Sequence, residues 1–595
     1  MKIAYILPVA LILFILYFFY QAPEFKKVHL QEPKLKRAVL NAKDRIIILI
    51  ICVLYAAVAF RGLGNKTSPE SFYCFNGDSV TIVLSEPKII SKVSYFSGIN
   101  TGNYHFFAAG LDANYIEIGY GKQSYNDVLK WNTVDLKGYT NFQIKYIRIQ
   151  ADGDMHLGEI GIFDTNDNLC EISKTYGKDV SNALFDEQNL VQAEQNYMNS
   201  SYFDEIYHVR TAIEFLENIY PYEISHPPLG KEIISLGILI FGYTPFGWRF
   251  MGTLFGILML PFLYYFLKIL FGNTQVAATG TIIFAFDFMH FVQTRIATVD
   301  TYAIFFIILM YLFMYLYLTN GSSKYLGICG LCFGFGVACK WTCLYAGSGL
   351  AVIWILHWIK TLRSGERTFL HFLGNCFYCV IFFIILPASI YYISYIPYGK
   401  ASGLDGISML FSNDYFNMVV DNQNFMFTYH SNVHASHPYS SRWYQWIFNI
   451  RPILYFLDYS NDRQNIQSFG AFVNPLLCWS GLLAIIVMIY FAIWRKDRRA
   501  AFITIGYFAQ LVPWIIITRT TFEYHYFGCT VFLVLAISYI FQTMRVGNIK
   551  WKRYIYLFTG ITLLLFVQFY PVLSGITRSA GYSEALLAWL PTWPF

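Results

Sequence analysis

Apolar residues in this chain come in long unbroken runs, not in the alternating or 3.6-residue stripes of a water-soluble fold. Runs near the ~20 residues that cross ~30 Å of hydrocarbon occur at 3–20, 46–61, 248–271, 275–293, 299–319 and 325–359. Others follow at 369–393, 471–494, 500–518, 525–543 and 553–571. The run at 325–359 is too long for one span and Lys340 interrupts it, which predicts two spans turning near residues 340–344 and a total of about 12. Residues 66–175 follow another rule. Short apolar alternations such as Val80-Thr-Ile-Val-Leu84, Tyr115-Ile-Glu-Ile-Gly-Tyr120 and Tyr146-Ile-Arg-Ile-Gln150, separated by Gly, Asn and Asp, predict a strand-rich domain. The fold class expected is therefore a polytopic α-helical membrane protein with an all-β sandwich inserted in its first large loop.

Composition agrees with this pattern. Of 595 residues 56% are hydrophobic and 13% charged, against roughly 25% charged in a soluble domain. A net charge of +6, dispersed along the chain, leaves no footprint for nucleic acid. Charge does report sidedness. Lys26, Lys27, Lys34, Lys36, Arg37, Lys43 and Arg45 place residues 21–45 in the cytoplasm by the positive-inside rule, with 3–20 read as a retained span because no small-residue cleavage site follows it. Alternation then puts Lys324, the loop with Lys360, Arg363 and Arg367, the Arg495–Arg499 cluster, and the loop from Arg545 to Arg553 inside as well. Residues 62–247, with 23 acidic and 12 basic side chains, and 394–470, with five and four, fall outside.

Candidate chemistry gathers on that outer side. Asp204 and Glu205 are adjacent, so on a helix they diverge by ~100° and cannot serve one atom; an acidic first helical turn explains them equally well. Pro227-Pro228 makes a rigid corner flanked by His226 and Lys231, the latter by default a lysine that snorkels to water. Arg249 opens a span, as a phosphate fork or an interfacial anchor. Asp300 and Lys340 stand at span ends, where they either serve a site or pair with each other. Arg442 and His525 come from two later loops. His430, His434 and His437 have metal-like spacing, but Pro438 and Ser/Asn neighbours argue for a loop, and no metal is assigned. Nine of the 11 cysteines lie in or at the ends of apolar runs; Cys74 and Cys170 do not.

Two resemblances add to this reading. The stretch Tyr146-Ile-Arg-Ile-Gln-Ala-Asp-Gly-Asp-Met-His-Leu-Gly-Glu-Ile-Gly-Ile-Phe163 resembles the last strands of discoidin-like (F5/8 type C) sandwiches, many of which bind sugars. Such modules often carry a disulfide where Cys74 and Cys170 stand, and two free thiols are as compatible with the sequence. Separately, Phe203-Asp-Glu, His226-Pro-Pro-Leu-Gly-Lys231, Trp248-Arg, Arg295-Ile-Ala-Thr-Val-Asp-Thr301, Lys340-Trp, His437-Pro-Tyr-Ser-Ser-Arg-Trp-Tyr-Gln-Trp446 and Phe522-Glu-Tyr-His-Tyr526 together resemble the protein O-mannosyltransferases, membrane enzymes of GT-C fold. That family has eleven core spans, which makes 3–20 an additional one, and its eukaryotic members carry MIR domains in the loop that here has only about 75 residues (394–470).

The resemblance implies an inverting transfer of mannose from polyprenyl-phosphate mannose to Ser or Thr of secreted or membrane proteins, at the outer face of the plasma membrane. It implies Asp204 as catalytic base, Glu205 shaping the acceptor site, and Arg249, assisted by Lys340, neutralising the leaving phosphate; His226, Lys231, Asp300, Arg442 and His525 are further donor-site candidates. No cofactor is required beyond the lipid-linked donor, and no Gly-rich phosphate loop is present. A glycan is the expected ligand of the β module, and a dimer is compatible with the reading. The expected divisions are 1–45 (extra span and basic linker), 46–65 (first core span), 66–175 (β module), 176–247 (loop with the acidic and His-Pro-Pro motifs), 248–393 (spans), 394–470 (loop) and 471–595 (last spans and an outer tail). Two other functions remain compatible: a GT-C transferase moving another sugar to a lipid or wall polymer, and a sugar-sensing receptor or transporter. The acidic motif at the surface and the lack of a repeat count against transport.

The charge pattern generates a direct test. In intact cells, an impermeant thiol reagent should label a single cysteine introduced near Asn166 and not one introduced near Arg498; the reverse pattern would invert the topology.

Overall fold

The computed structural model describes residues 3–20, 40–136, 142–177, 181–433, 436–547 and 552–595. The basic linker with Lys26, Lys27, Lys34, Lys36 and Arg37, as well as His434 and Lys550, lies outside the described residues. By contacts the chain divides into two units, one formed by Gly62–Glu217 with Ile234–Phe250, the other by Met1–Arg61, Asn218–Ile233 and Met251–Phe595.

The first unit is built on a sandwich of nine strands: β1 Tyr73–Asn76, β2 Ser79–Lys88, β3 Ile90–Ser97, β4 Gly102–Ala109, β5 Ile116–Gln123, β6 Trp131–Asp135, β7 Ile144–Ala151, β8 Asp154–Asp164 and β9 Ile172–Tyr176. They form an antiparallel four-stranded sheet, β1-β8-β3-β6, and an antiparallel five-stranded sheet, β5-β4-β7-β2-β9. The period-two pattern sends Val80, Ile82 and Leu84 of β2, Ile147 and Ile149 of β7, and Ile160 and Ile162 of β8 into one core between the sheets. Gly77, at φ +71°, turns the chain between β1 and β2, where a side chain would be strained. After the sandwich this unit continues into the helix Glu205–Leu216.

The second unit is helical. Among the described residues nine helices are long and apolar enough to cross a membrane, including Ile3–Tyr20, Asp300–Asn320, Thr342–Arg363, Phe369–Ala401 and Pro475–Trp494; the helix Pro245–Phe271 begins in the first unit and continues into this one. Three further helices fall on other runs where spans were expected without meeting that measure: Ala42–Ala59, which opens on Lys43, Asp44 and Arg45, and the shorter Thr274–Ala285 and Ser323–Cys339. Leu370, Phe377 and Ile384 of the Phe369–Ala401 segment are well exposed, the outward apolar surface that a lipid-facing helix requires. Asp44, buried, is held by Lys268 Nζ at 3.0 Å and by hydroxyls of Tyr264 and Thr274 at 2.8 Å, so the charge that opens its helix is paired.

The chain does turn at Lys340, which stands in extended conformation between two helices. Elsewhere the structure departs from the sequence pattern. The run 275–293 is not one helix: it stops at Ala285, and Asp287 accepts from His290 N to start a new turn, Phe288–Gln293. Segment 394–470 carries a 20-residue helix, Asn413–Asn432, and a hairpin of Ile453–Tyr459 with Asn465–Ala471.

No disulfide joins Cys74 and Cys170; both thiols are free. Cys74 sits on the outward face of β1 and Cys170 lies in the core between the sheets, so their side chains point to different environments. Burial pushes the Cys170 thiol up to about 11. A maleimide should therefore modify Cys74 in the folded protein and reach Cys170 only after denaturation, and the intact mass should be unchanged by reductant; a mass two hydrogens lower without reductant would reinstate the bond.

Candidate active site

In the β-containing unit the acidic motif forms a strained turn. Phe203 has φ +50°, the left-handed region, which costs a bulky residue of order 1–3 kcal/mol and persists only where the surroundings over-determine it. Asp204 occupies the N-cap of the helix Glu205–Leu216, half-buried, its carbonyl accepting from Tyr207 N and His208 N, and its side chain makes no capping hydrogen bond. As the ~100° divergence requires, Glu205 points elsewhere. It is fully buried, with Arg249 Nε on Oε1 and Nη2 on Oε2, both at 2.7 Å. Trp248 Nε1 and Tyr202 N donate to Oε2 at 3.3 and 3.2 Å.

This arrangement corrects two expectations. Arg249 is not a phosphate clamp: besides the bidentate pair, Nη1 donates to Leu63 O (2.9 Å) and Tyr197 O (2.7 Å) and Nη2 to Ser200 O (2.9 Å). All five guanidinium N–H groups are used, and the plane lies against the Tyr202 ring, 4.6 Å away. Glu205, held by that fork and 0% exposed, does not shape an acceptor surface. The pair pins the turn that presents Asp204.

In the helical unit the Pro227-Pro228 corner is also internally tied. Lys231 does not snorkel: it is 0% exposed, and its three N–H groups go to Glu223 O (2.7 Å), Glu223 Oε2 (2.6 Å) and His226 O (3.1 Å). That leaves no donor for a phosphate. Glu223, which no motif singled out, also accepts from Ser225 N and contacts His226 Nδ1 at 3.2 Å. The helix Asn413–Asn432 holds the same corner from the other side, with Asn422 Nδ2 donating to Ile224 O at 3.0 Å and His430 Nε2 to Ser225 O at 2.8 Å.

His226 and His430 meet edge to face, 5.3 Å apart. Burial, then the neighbouring His226, Arg519 and Lys340, push His430 down to about 3; burial also lowers His226, against the pull of Glu223. With its Nε2–H spent on Ser225, His430 presents Nδ1 as a buried acceptor that nothing among the described residues occupies.

Lys340 pairs with Asp300, Nζ to Oδ1 at 2.7 Å, with Nζ also 5.7 Å from the Tyr524 ring centroid. The mutual-pairing alternative is thus what the geometry shows, and Asp300 is bound to a protein cation. His525 is walled by Tyr524, Trp446 and Trp514, whose centroids lie 4.4, 5.9 and 4.3 Å away. Arg442 Nη1 donates to Thr518 O at 2.9 Å and so ties down residues 517–519. Arg519 itself is the cation that sequence reasoning passed over. It is half-buried, its guanidinium makes no hydrogen bond or ion pair among the described residues, and with Lys340 it acts electrostatically on both His430 and His525. His437 accepts from Tyr439 N. Away from this corner, Glu159, Asp186 and Glu187 of the β-containing unit approach closely enough to hold an ion, an arrangement invisible in their sequence spacing.

Comparison with known proteins follows the same residues. A family model described as dolichyl-phosphate-mannose-protein mannosyltransferase matches residues 225–391, and one described as the C-terminal four TMM region of protein-O-mannosyltransferase matches 415–593, together more than half of the chain. The polyprenol-phosphate-mannose–protein mannosyltransferase of Mycobacterium tuberculosis is 25% identical over 443 residues, covering 62% of this chain and 81% of that protein. The enzyme of the same name from Corynebacterium glutamicum is 26% identical over 430 residues, again 62% and 81%. Among solved structures, the S. cerevisiae protein O-mannosyltransferase Pmt1-Pmt2 complex bound to the sugar donor superposes with a TM-score of 0.57 at 12% identity, over 66% of this chain and 89% of that one.

The buried pair is testable by stability. Arg249→Met should leave Glu205 charged and unpaired and cost about 3–5 kcal/mol, whereas adding Glu205→Met should recover much of it. Thermal unfolding in lipid nanodiscs reads both. A stable Arg249→Met protein that had lost only donor affinity would return Arg249 to the phosphate.

Proposed function

We propose, for a chain that belongs to the protein O-mannosyltransferase family, the transfer of mannose from polyprenyl-phosphate mannose to Ser or Thr hydroxyls of proteins, with inversion at the anomeric carbon. The observation that carries this reading is the coincidence of the two matched stretches with the cation-lined corner: His226 and Lys340 fall in the first, His430, Arg519 and His525 in the second. The conserved name of the relatives supports the donor and the acceptor class.

In the reaction the hydroxyl oxygen bonds to the sugar C1, the C1–O bond to phosphate breaks, and polyprenyl phosphate leaves with the bonding pair. Asp204 takes the hydroxyl proton; its support is its place on the strained turn at the start of the motif helix and the neighbouring ion pair that holds that turn. Negative charge develops on the leaving phosphate. Arg519, whose guanidinium makes no hydrogen bond or ion pair among the described residues, and Lys340, which already carries one carboxylate, are the cations suited to it. His430 Nδ1 accepts a sugar hydroxyl, and Trp446, Trp514 and His525 offer apolar and aromatic surface to the ring. We place this chemistry on the extracytoplasmic face of the plasma membrane, on the strength of the basic and acidic loop asymmetry. The β module is assigned a glycan ligand, for which its discoidin-like ending is the support.

Two substitutions separate the roles. Asp204→Asn should lower the transfer rate 10²–10⁴-fold while leaving donor affinity unchanged. Arg519→Gln should weaken donor binding about 10- to 100-fold, the worth of a charge-assisted contact present before the reaction begins. Transfer to a Ser/Thr peptide and binding of polyprenyl-phosphate mannose, both on purified protein in lipid, read these effects. Normal transfer by folded Asp204→Asn protein would remove Asp204 as base.

A further inference from the structure

The turn carrying Asp204 needs support on more than one side, because Phe203 holds an unfavourable backbone conformation, and the Glu205–Arg249 pair supplies one such grip. The second grip comes from the β module. Ser201 N donates to Leu129 O at 3.1 Å and Ser201 Oγ to Val128 O at 2.9 Å. Ser200 Oγ accepts from Trp131 N at 3.1 Å. Ser200 and Ser201 are both buried, and Asp204 follows three residues later. On the sandwich side this edge is itself rigid. Leu129 has φ +56°; Leu129 N bonds to Gly98 O, Lys130 O accepts from Ser97 N at 2.9 Å, and Trp131 enters β6 against Phe96, their rings 5.5 Å apart. A third contact crosses beside the motif helix, where the Tyr125 and Tyr207 rings stack at 6.1 Å with a 22° tilt. Lys130, from the same edge, feels the Glu205 charge.

We infer that the β-sandwich is a positioning element of the transferase: its edge at residues 125–131 fixes, through Ser200, Ser201 and Tyr207, the turn that presents Asp204. A separate accessory module would be joined to the motif by a pliant linker; here an edge of the module, at residues 128–131, and the residues that lead into the motif share hydrogen bonds. Occupancy of the module by a ligand would then act on turnover, because anything that shifts residues 128–131 shifts Ser201. The proposal rests on Asp204 as the base.

The test is a double-mutant cycle on the full-length enzyme. Ser200→Ala with Ser201→Ala, and separately Tyr125→Ser, should lower kcat for peptide transfer roughly 10- to 100-fold, the scale of a catalytic group displaced by a fraction of an ångström to 1 Å. Donor affinity should be unchanged, and Tyr125→Phe, which keeps the stacked ring, should restore the rate. In an Asp204→Asn background the same substitutions should have no further effect, because their influence passes through the missing carboxylate. An unchanged kcat in both variants, or an equal proportional loss with and without Asp204, overturns the proposal alone. Full turnover by Asp204→Asn overturns the base assignment, and this inference with it. Tyr125 is 43% exposed, so its substitution keeps the test open even if the buried serine variants fail to fold.

Discussion

Burying a charge away from water is tolerated only when its partner and its remaining hydrogen bonds are supplied, and the Glu205–Arg249 pair is where this protein meets that demand most completely. Both side chains are fully buried, the carboxylate accepts from two side chains and one backbone N–H, and the guanidinium spends every donor it has. The carbonyls it collects come from residues 63, 197 and 200, far apart in sequence. One ion pair thereby gathers the entry to the β module, its exit, and the start of the motif helix. The left-handed Phe203 and the half-buried Asp204 between these anchors have little freedom left.

The same accounting sorts the cations of the helical unit. Lys231 is consumed by a single loop, Arg295 donates to the carbonyls of Ala59, Arg61 and Leu573, and Lys340 gives one bond to Asp300. Among the described residues the Arg519 guanidinium makes no hydrogen bond or ion pair. An anionic ligand gains most from a cation that loses nothing to receive it, which is what favours Arg519 in the proposed reaction. Neutral imidazoles around it suit the role: His430, held near 3, adds no positive charge and offers an acceptor. Aromatic walls at Trp446, Trp514 and Tyr524 lower the local polarity, which strengthens whatever electrostatic contact is made there.

The β module and the segment that leads into the motif helix share buried hydrogen bonds at Ser200 and Ser201. An insertion that makes such contacts is part of the framework that fixes the motif, in the same way that a ligand shell is fixed by the residues behind it. This gives the sandwich a structural reason to stand immediately before the acidic motif and not at a chain end.

Much of this architecture was legible along the chain. Unbroken apolar runs and the location of basic loops follow from the cost of putting peptide and charge into hydrocarbon, a constraint that acts on each segment by itself; so does the period-two alternation of Val80, Ile82 and Leu84. The turn at Lys340 and the helix starting at Glu205 were visible for the same local reasons. The employment of individual side chains was not. Whether Arg249 faces a ligand or a carboxylate, whether Lys231 reaches water, and whether Cys74 meets Cys170 depend on which distant backbone carbonyls and which face of a strand arrive beside them. Hydrogen-bond capacity is finite, and only the tertiary structure decides where each donor is spent. Arg519 stood in the sequence as one arginine among many; in the fold its guanidinium meets no hydrogen-bond or ion-pair partner among the described residues.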